Sequence, residues 1–269
     1  MSIILKPGDS GEEVKCLQRA LNEKACLSIS TDGVFGNGTK NAMMAWQKQN
    51  KFDTDGIYDS DKYTALADLI NTKYIRFSEL DKYAKAIGID SAILKAITEV
   101  ECKGNGFFTD GSCTILFERH IFFNQVTQKF GSEQAQQWSI KYPNICFETR
   151  SQSAYFGGKR EWERVNLAKN LDPECALLST SFGMFQIMGF NYKICGYSNV
   201  GEYVSDMIKS EKYQVGAVSM YIKNYANGKL YKAVTSLDFN EIARLFNGND
   251  YAVNNYNGKL KDAYKKFNV

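Results

Sequence analysis

Two glutamates, Glu99 and Glu101, stand two residues apart near the end of an apolar stretch with helical spacing. At about 100° per residue, Ile93, Ile97 and Val100 share one stripe, and Glu101 follows Ile97 by one helical turn at its edge. Glu99 falls on the opposite side beside Lys95, where a solvated ion pair is expected. The two carboxyls therefore have different expected environments. Partial desolvation disfavours the charged form, and a carboxyl that keeps its proton near neutral pH can protonate a glycosidic oxygen. Glu101 is the candidate proton donor. A second acid, Glu118, opens the run Glu118-Arg119-His120. It reads either as a carboxylate that stabilises an oxocarbenium-like charge or positions water, or as a structural partner of Arg119. His120 is the sole histidine and reads as a hydrogen-bonding orienter.

These side chains need a scaffold. Asp90 is placed to cap a helix that Gly104 would end. β-prone residues at 107–109 and 113–117 flank Asp110-Gly111, the signature of a hairpin. Around them, helices are expected at 78–87, 120–130, 132–141, 158–170, 174–186, 200–210, 212–227, 231–236, 239–247 and 255–267. Residues 8–69 carry a weak internal repeat: Thr31-Asp32-Gly33-Val34-Phe35 recurs as Thr54-Asp55-Gly56-Ile57-Tyr58, each copy followed by an amphipathic stretch. Asp-Gly suits a tight turn because glycine accepts positive φ and aspartate bonds back to the backbone. Helices at 12–23, 39–50 and 60–70 would close a three-helix unit, with Val14, Leu17 and Leu21 in one stripe and Ala42, Ala45, Trp46 and Gln49 in the next. The chain thus divides at 1–71, a connector at 72–78, and 79–269. The expected class is mainly α: a small three-helix domain and a larger α domain with a small β-hairpin.

Composition removes several alternatives. With 269 residues, 44% hydrophobic, and three prolines, the chain can bury a real core. No run approaches the roughly 18–20 apolar residues that cross a bilayer, and the first residues lack the pattern of an export signal. The net charge of +3 is too mild to argue for nucleic acid. It is uneven, net −2 over residues 1–70 and net +5 over the remainder, which suits an anionic polymer. Seven cysteines without a Cys-x-x-Cys pair read as free buried thiols, and one histidine leaves no two-His zinc site. No metal or cofactor is expected. A Cys-His amidase would have to rest everything on His120.

The N-terminal pattern (Gly11, Val14, Leu17-Gln18, Leu21, Asp32-Gly33-x-Phe35-Gly36, Thr39, Ala42, Trp46-Gln47, Asp55-Gly56) resembles the peptidoglycan-binding type 1 domain. It departs at Asp59, where a glycine is usual. The resemblance implies that Asp32, Phe35, Trp46 and Asp55 anchor peptidoglycan. Farther on, the run from Val100 to Phe107, then Ile115 to His120, resembles the phage-type N-acetylmuramidase domain of the lysozyme-like superfamily. So do Tyr155-Phe156-Gly157-Gly158 with Glu161 and Arg164, the run from Ser179 to Asn191, and Ala243-Arg244-x-Phe246-Asn247-Gly248. Phe182 stands where tryptophan is common.

That resemblance implies Glu101 as general acid and Gln186 as a contact to an acetamido sugar; Glu118 stays a candidate second carboxylate, and Ser181, Asn247, His120 and Tyr155 are candidate substrate contacts. The resemblance also makes 181–187 the start of a cleft-walling helix. A modular endolysin follows, binding peptidoglycan strands and cutting the β-1,4 bond between N-acetylmuramic acid and N-acetylglucosamine. It would be a monomer without stable membrane insertion, made in the host cytoplasm and acting on the wall after membrane permeabilisation. Two alternatives stay open: a lytic transglycosylase giving 1,6-anhydro ends, and a non-catalytic wall-binding virion protein.

Overall fold

The computed structural model describes residues 2–101, 105–151, 154–248 and 255–268. Near the N-terminus, β1 (Ile4–Leu5) pairs antiparallel with β2 (Tyr58–Asp59) and closes a unit of three helices, α1 (Glu12–Ala25), α2 (Asn37–Gln49) and α3 (Thr64–Lys73). Val14, Leu17 and Leu21 of α1 are fully buried, as the spacing predicts. On α2 the buried face is Ala42, Met43, Trp46 and Gln47, whereas Ala45 and Gln49 are exposed, so the helix is rotated from the expected stripe.

Burial of Gln47 gives the reason. Its amide nitrogen donates to Asp55 Oδ1 (2.6 Å), the Ile57 carbonyl (3.1 Å) and the Tyr63 hydroxyl (2.7 Å), and its oxygen accepts the Gly56 N–H (2.9 Å). Gln18 does the same one repeat earlier, serving Asp32, the Val34 carbonyl, Thr39 and the Gly33 N–H. Each Asp-Gly turn is thus closed from beneath by one buried glutamine that saturates its polar atoms.

The larger part begins with α4 (Leu80–Ile87) and α5 (Ser91–Glu101). It continues through β3 (Ile115–Phe117), α6 (Arg119–Phe130), α7 (Ser132–Lys141), α8 (Glu161–Leu171) and α9 (Pro173–Leu178). Then come β4 (Thr180–Phe182), β5 (Ile187–Met188), α10 (Val200–Met207), α11 (Glu211–Thr235), α12 (Phe239–Asn247) and α13 (Tyr256–Phe267). Helix α11 is interrupted at 225–228, where Ala226, Asn227 and Gly228 have positive φ. The sequence expects the gap at 228–230, so the break begins inside the expected helix over 212–227.

Two expectations about the β elements change. The Asp110-Gly111 turn forms, with Phe108 N–H on the Ser112 carbonyl and Thr114 N–H on the Gly106 carbonyl, yet the arms form only one bridge, Phe107–Cys113. Their outward groups are claimed elsewhere: Gly106 N–H by Glu211 (2.9 Å) and the Thr114 carbonyl by Gly183 N–H (2.8 Å). Strand β3 instead pairs with β4, and β4 with β5, in a three-stranded antiparallel sheet. The helix expected over 174–186 stops at Leu178, and 181–187 is strand and turn rather than a helix start. Ser179 and Thr180 turn their hydroxyls back to the Cys175 and Ala176 carbonyls (2.7 and 2.8 Å), competing with the helical ladder, and Thr180-Ser181-Phe182 then extends.

The two parts are docked. Glu12 accepts the Phe77 N–H (2.8 Å), Glu13 pairs with Arg76 (2.6 Å), and Glu23 takes Lys73 (2.7 Å) and the Tyr74 hydroxyl (2.8 Å). Tyr74 and Ile75, inside the expected connector, are buried.

Candidate active site

Helix α5 forms because its apolar positions bury on several sides: Ile93, Leu94, Ala96 and Ile97 are inaccessible to solvent. Asp90 caps it through the Ala92 N–H (2.9 Å). Gly104, the expected helix end, and Cys102 lie outside the described residues. Glu101 is half-buried at the last described position of α5. Its Oε1 accepts the Tyr256 hydroxyl of α13 and Asn247 Nδ2 of α12 (3.5 Å). Helix α13 packs along α5, which brings Tyr256 to this carboxyl. Glu99 is exposed, as expected, but its partner is Lys266 of α13 (2.7 Å); Lys95 is drawn to Asp81 (2.7 Å).

Glu118 follows β3 and is almost wholly buried. Its Oε2 accepts the Tyr155 hydroxyl (2.7 Å) and lies 3.3 Å from His120 Nδ1, while Arg150 reaches Oε1 at 3.8 Å. Arg119 turns away, its guanidinium donating to the Pro143 carbonyl (3.0 Å). Burial lowers the His120 titration below its usual value, with Glu118 opposing and Arg150 and Arg119 adding to the fall, so the imidazole is neutral near pH 7. The arrangement is one buried carboxylate, a tyrosine hydroxyl hydrogen-bonded to it, a neutral imidazole 3.3 Å away and an exposed guanidinium.

Behind it, Glu161 and Arg164 form a fully buried pair (2.8 Å). Glu161 accepts the N–H groups of Phe156 (2.6 Å), Gly157 (2.9 Å) and Phe117 (3.4 Å), and Arg164 donates to the Phe117 (2.9 Å) and Asn144 (2.8 Å) carbonyls. The neighbours of Glu118 and Tyr155 are therefore pinned by one ion pair. A buried pair of this kind adds little net stability; its value here is positional.

Ser181 and Gln186 meet across the β4–β5 turn, hydroxyl to amide oxygen (2.8 Å). Ser181 is buried and also reaches the Leu116 carbonyl (3.3 Å). Gln186 is exposed at φ +48°, a left-handed conformation rare for a non-glycine residue, and donates to the Gly183 carbonyl (2.8 Å). The predicted residues thus gather as Glu101 with Asn247, Glu118 with His120 and Tyr155, and Ser181 with Gln186. Tyr256, Arg150 and Glu211 were missed; each acts across more than 30 residues of chain, where spacing gives no signal.

Two of the four expected anchoring residues need a correction. Phe35 and Trp46 are 1% and 4% exposed and belong to the core, so neither can lie against a polymer. Asp32 and Asp55 are exposed, but their carboxylates hold their own turns, accepting the Val34 and Ile57 N–H groups (2.9 Å each). Those backbone bonds keep both carboxyls below the usual carboxylate range.

Thiol chemistry fits poorly. Burial pushes the thiols of Cys113, Cys146, Cys175 and Cys195 up to about 12, and His120 faces Glu118. No group of three or more metal-ligating side chains is found among the described residues. A cavity of about 760 Å³ lies between the two parts, lined by Gly11, Lys15, Arg19, Gly33, Glu99 and Glu211 among others, not by the Glu101 or Glu118 carboxylates.

The family model for N-acetylmuramidase matches residues 90–268, and that for a peptidoglycan binding domain matches residues 10–66. The crystal structure of Burkholderia AP3 phage endolysin is similar over 99% of this chain and 99% of that one, with 33% identity and a TM-score of 0.68.

Proposed function

The chain belongs to the N-acetylmuramidase family, and from that premise we propose that Glu101 is the proton donor of a glycoside hydrolase acting on peptidoglycan. The protein is a modular endolysin of the lysozyme type, with a peptidoglycan-binding unit joined to a muramidase. The bond cut is the β-1,4 linkage between N-acetylmuramic acid and N-acetylglucosamine. One observation carries the assignment: Glu101 stands half-sheltered at the last described position of a buried helix, with Oε1 held by Tyr256 and Asn247. A carboxyl held in this way is oriented to pass its proton to the leaving oxygen.

Positive charge then grows on the muramic acid ring. Glu118 is the negative group that answers it, directly or through an ordered water, with the Tyr155 hydroxyl fixing its orientation and neutral His120 beside it. Gln186, displayed by its strained turn and steadied by Ser181, keeps a lone pair on its amide oxygen to accept an acetamido N–H. Asn247 stands beside the reacting carboxyl. The binding unit (1–71) is joined through 72–78 to the catalytic part (79–269). Asp32 and Asp55 shape the wall-facing turns, with Phe35 and Trp46 packed beneath them. Holding the wall raises the local concentration of cleavable bonds. The protein works as a monomer without metal or cofactor. It is made in the host cytoplasm and reaches the wall once the membrane is breached; among the described residues no helix is long and apolar enough to cross a membrane.

Mass spectrometry of digested muropeptides tests the reaction. Ordinary reducing muramic acid ends are expected. Products lighter by one water would replace hydrolysis with 1,6-anhydro ring closure, and wall binding without soluble products would leave only a binding protein.

A further inference from the structure

The polar node that joins the two parts is Glu211, at the start of α11, with no solvent exposure. Its carboxylate accepts from four donors. Arg19 of α1 supplies two, through Nη1 (3.0 Å) and Nη2; the Ile75 N–H supplies a third (3.1 Å) and the Gly106 N–H a fourth (2.9 Å). Arg19 is itself 8% exposed, its guanidinium 4.1 Å over the Tyr74 ring. A residue of the binding unit thus neutralises a carboxylate whose other task is to hold the backbone five residues beyond Glu101.

From Gly106 the network runs on toward the substrate side. The Gly106 carbonyl accepts the Thr114 N–H (3.0 Å), and the Thr114 carbonyl accepts both the Gly183 N–H (2.8 Å) and Gln186 Nε2 (3.3 Å). A β-carbon at Gly106 would run into Gln214, Glu211 and Met184, so the close approach admits only glycine. Gln214, one turn after Glu211 on α11, locks the same corner by accepting the Met184 N–H (2.8 Å) and donating to the Met207 carbonyl (2.7 Å).

We propose that Arg19 of the wall-binding unit is a positioning residue for the muramidase site, acting through Glu211 on Gly106 and, through Thr114, on the Gln186 turn. The inference rests on the muramidase reading above. Without Arg19, two backbone N–H groups are left to balance a buried charge. Such a carboxylate turns toward water or takes up a proton, and either change weakens its hold on Gly106. The binding unit is then a wall of the catalytic machinery as well as a tether.

The test uses the full chain and a soluble, uncross-linked oligosaccharide of alternating N-acetylglucosamine and N-acetylmuramic acid, on which tethering to an insoluble wall confers nothing. Arg19→Met is expected to lower kcat at least tenfold with KM within about threefold and sacculus pull-down unchanged. Amide exchange across 105–116 should speed up. Should Arg19→Met fail to fold, Glu211→Gln, which keeps the shape and removes the charge, is read the same way. Wild-type kcat in the folded variant overturns the inference, and so does a lost kcat with unchanged exchange across 105–116. A wild-type chain that releases no reducing ends, or releases them equally as Glu101→Gln, overturns the muramidase reading instead.

Discussion

Glu101→Gln separates chemistry from scaffold, because the amide copies the shape of the carboxyl. Its oxygen can still accept the Tyr256 hydroxyl and the Asn247 amide, which help to fix the side chain. Exchange of a proton-bearing acid for an amide at a half-buried site with an acceptor retained should change stability by about 1 kcal/mol or less. What the amide cannot do is give up a proton. General acid catalysis contributes roughly 10²–10⁴-fold, about 3–5 kcal/mol of barrier at about 1.4 kcal/mol per decade. Initial rates of reducing-end release from purified sacculi, with thermal melts of the same preparations, read both quantities. A matched control is Glu99→Gln, which removes only the exposed pair with Lys266. It should cost about 0.5 kcal/mol at most and leave the rate within about twofold. A Glu101→Gln chain that keeps more than about a tenth of the wild-type rate would refute the reasoning, as would a lost rate that only tracks lost folded protein.

Glu118→Gln should lower kcat by about 10²-fold in folded protein, with a stability cost of roughly 1–3 kcal/mol from the weakened Tyr155 and His120 contacts; a wild-type kcat would make Glu118 purely structural. His120 gives a pH signature. Its titration is lowered in the fold, so the unfolded chain takes the proton first, and stability is lost as pH falls through about 6.5. Urea midpoints from pH 7.5 to 5 should slope less in His120→Gln, and equal slopes would contradict the assignment. Gln18→Ala strands the Gly33 N–H and leaves the Val34 carbonyl and the Thr39 hydroxyl only each other (3.3 Å), and should cost roughly 1–3 kcal/mol by denaturant titration. A loss below about 0.5 kcal/mol would show that these groups find other partners.

Local chemistry made much of this protein legible in its sequence. The period of Ile93 and Ile97 placed Glu101 at the margin of a buried face, because helical geometry depends only on spacing. Asp32-Gly33 and Asp55-Gly56 announced two like turns, because positive φ and side-chain capping are properties of those residues themselves. Where several groups compete for one partner, the sequence was silent. The arms of the Asp110-Gly111 turn stop short because Glu211 and Gly183, about 70–105 residues away, take the hydrogen bonds that a longer ladder would use. Lys266 displaces Lys95 as the partner of Glu99, and Tyr256 reaches Glu101 only because α13 lies along α5. Patterning sets which residues must be buried; which buried polar atom meets which is decided by packing, since a donor inside the fold must find its acceptor among whatever the tertiary structure brings within reach.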